Sequence, residues 1–360
     1  INWRSLGWLD DSTASLEPLR PDLFSGTVGI SLFLASYAKT FGDEEAHDLS
    51  IRSLASIRHQ INGANSARWA RSLGVGGTRG LGSITYSLGK IGIALDDQKI
   101  LNDALTSVDL YNNDLIKSCT NWDTTYGLSG GILSLLSLYT HTANESVIEK
   151  AIKCGDQLIL SDAYQTYLKD IESNVVNLRI IDLNLSTGIS GVLLALHRLS
   201  SMTLLPRFNE AKTKVKNILE QKLKSLNSHT SELSINQANQ TPYSPTNATH
   251  LSEVGLVSLS LSSSTKLSTE EDSFIGNLHS IISTCSANTY QRNQWKSIPY
   301  SEFINAYVGL KNDRTSDMNT LELLESIKYW VHNVNQNSDA YMSRFNLGFH
   351  RGIAGIGYSL

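Results

Sequence analysis

The residues of this chain that could carry out chemistry stand just before a glycine-containing motif that recurs along the sequence. Asp123 lies four residues before Gly127, and His250 lies two residues before Ser252, where two of the motifs begin. A carboxylate and an imidazole can both exchange protons with a bound substrate. Asp123 and His250 are therefore candidates for proton exchange. The alternative for Asp123 is a helix cap, and the alternative for His250 is a structural hydrogen bond.

Five further side chains precede the motifs and are predicted to bind substrate. They are Tyr126, Thr187, Asn305, His350 and Arg351. If the motifs gather at one end of the fold, these side chains converge on its central cavity. An arginine there can hold a peptide carboxylate through its planar guanidinium. The alternative for His350 and Arg351 is a solvated basic pair.

The cysteines do not predict a metal site or a disulfide framework. Cys119, Cys154 and Cys285 have no CxxC spacing and leave an odd thiol. His279 and Cys285 are six residues apart on a predicted helix and do not share a face, so they do not complete a zinc site with His250. We predict no bound metal and no cofactor, and the free thiols favour a cytoplasmic protein.

The motif that sets these positions is a small residue, two variable residues and a glycine at the head of an apolar run. Its seven occurrences begin at Gly26, Gly77, Gly127, Gly188, Ser252, Ala306 and Gly352. Additional glycines at positions 74 and 76 leave the register of the second motif open by about one residue. Repetition at intervals of several tens of residues is typical of a repeat fold.

The segments between the motifs predict two kinds of helix. An apolar run follows most motifs, and more polar segments with a period near 3.6 fill the rest of the intervals. The polar segments are 44–59, 98–116, 145–159, 208–226, 274–285 and 320–334. Alternating apolar and amphipathic helices can bury the first kind inside a ring of the second. We predict an all-α fold, an α/α toroid of about seven inner and seven outer helices, as one domain over residues 1–360.

Composition and motif content exclude several classes of function. The net charge of −4 and the scattered basic residues exclude a nucleic-acid-binding surface. No apolar run is long enough to cross a bilayer, and the 41% hydrophobic content is typical of a soluble protein. The chain contains no Walker A loop, GxSxG or HExxH sequence, so nucleotide chemistry has no support.

Three of the motifs, with their flanks, resemble the repeat signatures of the LanC-like lanthionine cyclases. They are Asp22-Leu23-Phe24-Ser25-Gly26-Thr27-Val28-Gly29-Ile30, Tyr126-Gly127-Leu128-Ser129-Gly130-Gly131-Ile132 and Arg351-Gly352-Ile353-Ala354-Gly355-Ile356-Gly357-Tyr358. The resemblance covers essentially the full chain and is closest to the C-terminal cyclase domain of the class II lanthipeptide synthetases, the LanM enzymes. Because the sequence starts at Ile1 and stops at Leu360 inside an apolar run, we expect a domain of a longer synthetase.

The resemblance implies an α/α toroid with one zinc ion, held by a Cys before the fifth motif and a Cys-His pair before the sixth. In the family this zinc activates a peptide thiol for addition to dehydroalanine or dehydrobutyrine, which closes a thioether ring. A coordinated thiol is deprotonated at neutral pH, and the thiolate is the nucleophile. The resemblance also implies an Asp before the third motif and a His before the fourth as acid and base partners.

This sequence departs from the family at most of those positions. Thr187 replaces the His before the fourth motif, and His250 stands at the first Cys position. Ile304 and Asn305 replace the Cys-His pair, whereas Asp123 matches the family Asp. From the resemblance we predict Asp123 and His250 as the catalytic residues. A catalytic zinc takes three protein ligands. The family's ligand set is therefore not retained.

We predict a LanC-like domain of lanthipeptide (lantibiotic) maturation that binds a precursor peptide, with cyclisation either lost or independent of the zinc site. Holding a thiol near its dehydrated partner can direct ring closure by proximity. The sequence leaves open whether the chain is an enzyme or a pseudo-enzyme. One alternative is an active zinc-dependent cyclase with substituted ligands. The other is a non-enzymatic module that docks a dehydratase or another maturation protein.

Overall fold

The computed structural model describes residues 3–8, 14–173 and 183–230. In these ranges the chain forms one two-stranded antiparallel hairpin and twelve α-helices. The strands are β1 (Arg4–Trp8) and β2 (Ala14–Pro18). The helices are α1 (Thr27–Phe41), α2 (Glu44–Ser53), α3 (Ala55–Asn62), α4 (Ser66–Leu73), α5 (Leu81–Leu95), α6 (Gln98–Asp109), α7 (Asn113–Ser118), α8 (Leu128–Thr142), α9 (Glu145–Leu160), α10 (Asp162–Glu172), α11 (Ile189–Thr203) and α12 (Pro206–Thr230). The predicted helical class is confirmed.

The N-terminal hairpin was not predicted from the sequence. Its strands, RSLGW and ASLEP, contain no β-branched residue and therefore give little strand signal. They pair in the register Arg4↔Pro18, and the Trp3 indole Nε1 donates to Ser53 Oγ at 2.8 Å. Contacts beyond the strands, such as this bond to α2, are what tie the hairpin to the helices.

The helices that follow the motifs, α1, α5, α8 and α11, are each 15 residues long and mostly buried. Each begins directly after a glycine and ends at a residue in the left-handed conformation, which stops the helix. These C-terminal residues are Gly42, Asp96, Ala143 and Leu204, with φ of 67°, 53°, 47° and 56°. The shared length and the shared start and stop geometry show that these segments are structural repeats.

A more polar helix follows each of these: α2, α6, α9 and α12 pack against α1, α5, α8 and α11 respectively. Side-chain caps start three of them, at Asp43, Asp97 and Asn144. The segments 44–59 and 98–116, predicted as single helices, are each broken into two, because α3 starts anew at Ala55 and Asn112 caps α7. The predicted helices at 274–285 and 320–334 lie outside the described residues.

Described residues up to Leu54 belong to one compact unit, and those from Ala55 onward belong to a second. In the second unit α5, α8 and α11 pack side by side. Apolar side chains with no exposed surface, such as Ile84, Leu88, Ile132 and Leu196, fill the space between them. Each fully buried aliphatic side chain contributes about 1.5–3 kcal/mol. The prediction of one domain over residues 1–360 stays a prediction. No described helix combines the length and hydropathy needed to cross a bilayer.

Replacing Asp103 by alanine is expected to lower the free energy of unfolding by about 2 kcal/mol, since it removes a buried carboxylate that joins α3 to α6. Asp103 forms an ion pair with Arg58 and accepts a hydrogen bond from Asn62 Nδ2 at 3.0 Å. The matched control is Asp48→Ala, which removes an exposed pair with Arg52 and should cost less than about 0.5 kcal/mol. Urea denaturation followed by circular dichroism measures both. Equal losses would contradict a structural role for Asp103.

Candidate functional site

The loops that precede α5, α8 and α11 share one geometry, set by a glycine at the N-cap. Gly80, Gly127 and Gly188 have φ of −114°, −110° and −102° with extended ψ, and none of these helices has a side-chain cap. Glycine is used here for close approach, because a Cβ on Gly127 would lie 2.5 Å from the carbonyl oxygen of Asn121. We number loop positions backward from this glycine, so that Tyr126 is at −1 and Asp123 at −4.

The structure corrects the register of the second motif. The N-cap of α5 is Gly80 and not Gly77, so the shift is three residues instead of about one. Position −4 of this loop is therefore Gly76, where a Cβ would run into the backbone carbonyl of Thr125. Position −1 is Arg79.

Asp123 builds the turn that leads into α8. Its Oδ1 accepts a hydrogen bond from Tyr126 N at 2.6 Å. Asn184 is at position −4 of the next loop, and its Oδ1 accepts hydrogen bonds from Thr187 N and Gly188 N, both at 2.8 Å. Asp22 in the first unit repeats the pattern. Since Tyr126 precedes the N-cap, the Asp123 side chain holds the turn before the helix and does not cap the helix itself.

Hydrogen bonds join successive loops, and in each case the earlier loop in the chain donates to the later one. Gly77 N donates to Thr124 O at 2.9 Å, and Thr125 N donates to Ser186 O at 3.1 Å. The Thr124 hydroxyl lies 2.8 Å from Leu185 O and 2.9 Å from Ser186 O. Each loop is therefore held by the next, which places the helix starts of α5, α8 and α11 at one end of this unit.

Replacing Thr124 by valine is expected to lower the free energy of unfolding by about 1 kcal/mol, because the part-buried carbonyls of Leu185 and Ser186 lose a hydroxyl donor while the side-chain volume is kept. Thr213→Val is the control: this exposed threonine only bonds to Asn209 O within its own helix, and the change should cost less than about 0.5 kcal/mol. Urea denaturation compares the two variants. Equal costs would show that the bonds between loops do not stabilise the fold.

The −1 residues of the three loops are Arg79, Tyr126 and Thr187. Tyr126 is 47% exposed, and Thr187 is also exposed. The guanidinium carbon of Arg79 lies 5.8 Å from the centroid of the Tyr126 ring, a cation–π distance. At position −1 Tyr126 and Thr187 are therefore exposed to solvent and Arg79 is half-buried, whereas the side chains of Asp123 and Asn184 at position −4 support the backbone.

Asp123 is half-buried, and this burial raises the pKa of its carboxyl above the ordinary value, although backbone N–H groups, first that of Tyr126, act in the opposite direction. Burial also raises the pKa of the nearby Cys119 thiol, and the Asp123 charge adds to the effect. A thiol with a raised pKa is a poor nucleophile at neutral pH. The prediction that Asp123 is a catalytic residue stays a prediction.

The structure brings together Asp123 and Tyr126 in one loop and places Thr187 in the adjoining loop. The other predicted site residues, His250, Asn305, His350 and Arg351, lie outside the described residues. Within the described part of the chain, no three His, Cys, Asp or Glu side chains are grouped to hold a metal. Sequence reasoning missed Asn184 and Arg79. Asn184 shares its offset from the glycine with Asp123, and Arg79 is found once the register is set by Gly80.

Known proteins share this arrangement of helices. A family model described as lanthionine synthetase C-like protein matches residues 17–245. A solved structure of nisin cyclase is similar over 94% of this chain and 87% of that chain, with a TM-score of 0.54 and 16% sequence identity. At that identity the likeness shows the fold, and it confirms the predicted α/α toroid. No curated protein matches the sequence significantly.

Proposed function

This chain belongs to the lanthionine synthetase C-like family, and on that premise we propose that it binds a dehydrated precursor peptide during lanthipeptide maturation. The peptide would lie over the loops before α5, α8 and α11, where Tyr126 and Thr187 are exposed. We place the chain as the C-terminal part of a class II synthetase, whose dehydratase segment supplies the peptide. A cytoplasmic location stays a prediction from the cysteines.

The donor set does not fit the family's zinc. His250 offers one imidazole, Ile304 offers no donor, and Asn305 offers a neutral amide, whereas a catalytic zinc takes three protein ligands. We therefore derive no step through a metal. We propose that ring closure by this chain proceeds without the family's zinc site.

The observation that carries the proposal is the Asp123 carboxyl, half-buried with a raised pKa in the same loop as the exposed Tyr126. Ring closure adds the S–H of a peptide cysteine across the Cα=Cβ bond of a dehydroamino acid. The S–Cβ bond forms, the double bond becomes single, and a proton is added at Cα, with no change in overall oxidation. Asp123 exchanges the proton, because Thr187 has no imidazole that could exchange it. Binding holds the thiol close to the double bond, which favours ring closure by proximity.

The test combines metal analysis with a cyclisation assay. The purified chain is incubated with a synthetic peptide that contains one cysteine and one dehydroalanine, with and without a chelator, and mass spectrometry after thiol alkylation counts the rings. Ring formation that is unaffected by the chelator, in a protein without bound zinc, supports the proposal. Stoichiometric zinc with chelator-sensitive activity would instead establish a zinc cyclase with substituted ligands.

The alternative, a non-enzymatic module that docks a dehydratase, predicts a different experimental result. A dehydratase that co-purifies with the chain, combined with a failure to bind the peptide or to form rings, would overturn the proposed function. Circular dichroism of the same sample establishes that the failure is not one of folding.

A further inference from the structure

We propose that Arg79 and Tyr126 form a subsite for a carboxylate side chain of the peptide. This rests on the proposed function, because it takes the peptide as the ligand. It adds a specificity determinant in a loop where the sequence predicted no site residue.

The two side chains meet at the junction of adjacent loops. Arg79 N donates to the carbonyl oxygen of Thr125 at 3.2 Å, so the backbones that carry the pair are bonded together. The Arg79 guanidinium lies over the Tyr126 ring at 5.8 Å. Because Tyr126 N also anchors Asp123 at 2.6 Å, a group bound by this pair is held next to the proton-transfer carboxyl.

The chemistry of the pair favours a carboxylate. Arg79 is the single cation among the −1 residues of the four described loops, the others being Ser25, Tyr126 and Thr187. A guanidinium carries five N–H donors in a planar fork, so it can bind a ligand carboxylate in addition to its contacts within the protein. The cation–π attraction of the Tyr126 ring holds the guanidinium on this side of the loop. One cation matches a monoanion, whereas phosphate sites use several.

The test uses a series of fluorescein-labelled peptides with one cysteine and one serine in place of the dehydroalanine, which cannot react. An aspartate is placed at successive flanking positions, and each peptide has an asparagine twin. Fluorescence anisotropy measures Kd for the whole chain. We expect one aspartate position to bind about tenfold more tightly than its asparagine twin.

The variants then assign this preference to the pair. Arg79→Gln should abolish the preference, Arg79→Lys should keep only part of it, and Tyr126→Phe should keep most of it. Arg71→Gln is the matched control, since it removes the same charge from an exposed site on α4 and should leave the preference intact. Thermal denaturation of each variant establishes that it is folded.

Each contrary result has its own meaning. Equal binding of the twins, or a preference that survives in Arg79→Gln, would overturn the subsite and leave the proposed function standing. Failure of every peptide to bind wild-type protein would overturn both. Tighter binding of a phosphoserine peptide than of the aspartate peptide, lost in Arg79→Gln, would overturn the carboxylate assignment in favour of phosphate.

Discussion

Alanine in place of Gly130 is expected to lower the free energy of unfolding by about 3 kcal/mol, although alanine is the better helix former by about 1 kcal/mol. A Cβ at this position would overlap the carbonyl oxygen of Thr124 and would lie 2.7 Å from the Cα of Gly77. Both neighbours are backbone, and they form the hydrogen bond that joins the second loop to the third. Neither can move without opening that junction.

Glycine is required at position 130 by the contact between the second and third loops and not by the start of the helix. The equivalent position in α5 is Ser83, a residue with a side chain, and its hydroxyl donates to Gly80 O at 2.6 Å. A matched control is Gly89→Ala inside α5, where the new Cβ would meet only the movable end of Leu138 at 3.0 Å. That change should stay within about 1 kcal/mol of wild type. Urea denaturation with equal losses for both variants would contradict the close-approach argument.

Asparagine in place of Asp123 is expected to slow ring closure at least about 100-fold while leaving the fold intact. The amide oxygen can accept the hydrogen bond from Tyr126 N as the carboxylate does, and Asn184 shows this in the next loop. The amide cannot exchange the proton that the reaction moves. Mass spectrometry of the cyclised peptide measures the rate. An unchanged rate would leave Asp123 with a role in the turn alone.

The same variant has a predicted pH dependence of stability. Because burial raises the pKa of Asp123, the folded state holds this proton more tightly than the unfolded chain does. The resulting stabilisation is present below the ordinary carboxyl pKa of about 3.9 and is lost as the pH rises through the folded-state pKa.

The stability of Asp123→Asn relative to wild type should therefore increase between pH 3 and pH 7, because the variant does not titrate at this position. Urea denaturation at several pH values measures it. Asp97→Asn, at the half-buried N-cap of α6, is the control and should leave ring closure unchanged. A relative stability of Asp123→Asn that falls over this range would contradict the raised pKa.

Much of the fold could be predicted from local patterns. The apolar runs after the glycines become α1, α5, α8 and α11, and the polar segments become the helices that pack on them. Two helix boundaries were missed, at Leu54 and at 110–112, because in both places the next helix begins after a short break and the hydrophobic period continues almost unchanged across it. The N-terminal hairpin was missed because its residues have weak strand preference, so pairing and contact with α2 decide its conformation.

For the candidate site, the sequence alone determined which residues flank the motifs. It did not determine what position −4 does, since an aspartate before a helix can cap it, build a turn or transfer protons. The hydrogen bond from Tyr126 N to Asp123 Oδ1, matched by that from Thr187 N to Asn184 Oδ1, assigns the turn. Burial raises the pKa of the Asp123 carboxyl, and its role in proton transfer stays a prediction.

The pairing of Arg79 with Tyr126 was decided only by tertiary structure. The two residues are far apart in the chain, and a register error of three residues concealed that both are at position −1. Glycine spacing is a local property and can be read from the sequence. The contact between two loops depends on how α5 and α8 pack side by side and on backbone bonds such as Arg79 N to Thr125 O, which form only in the folded chain.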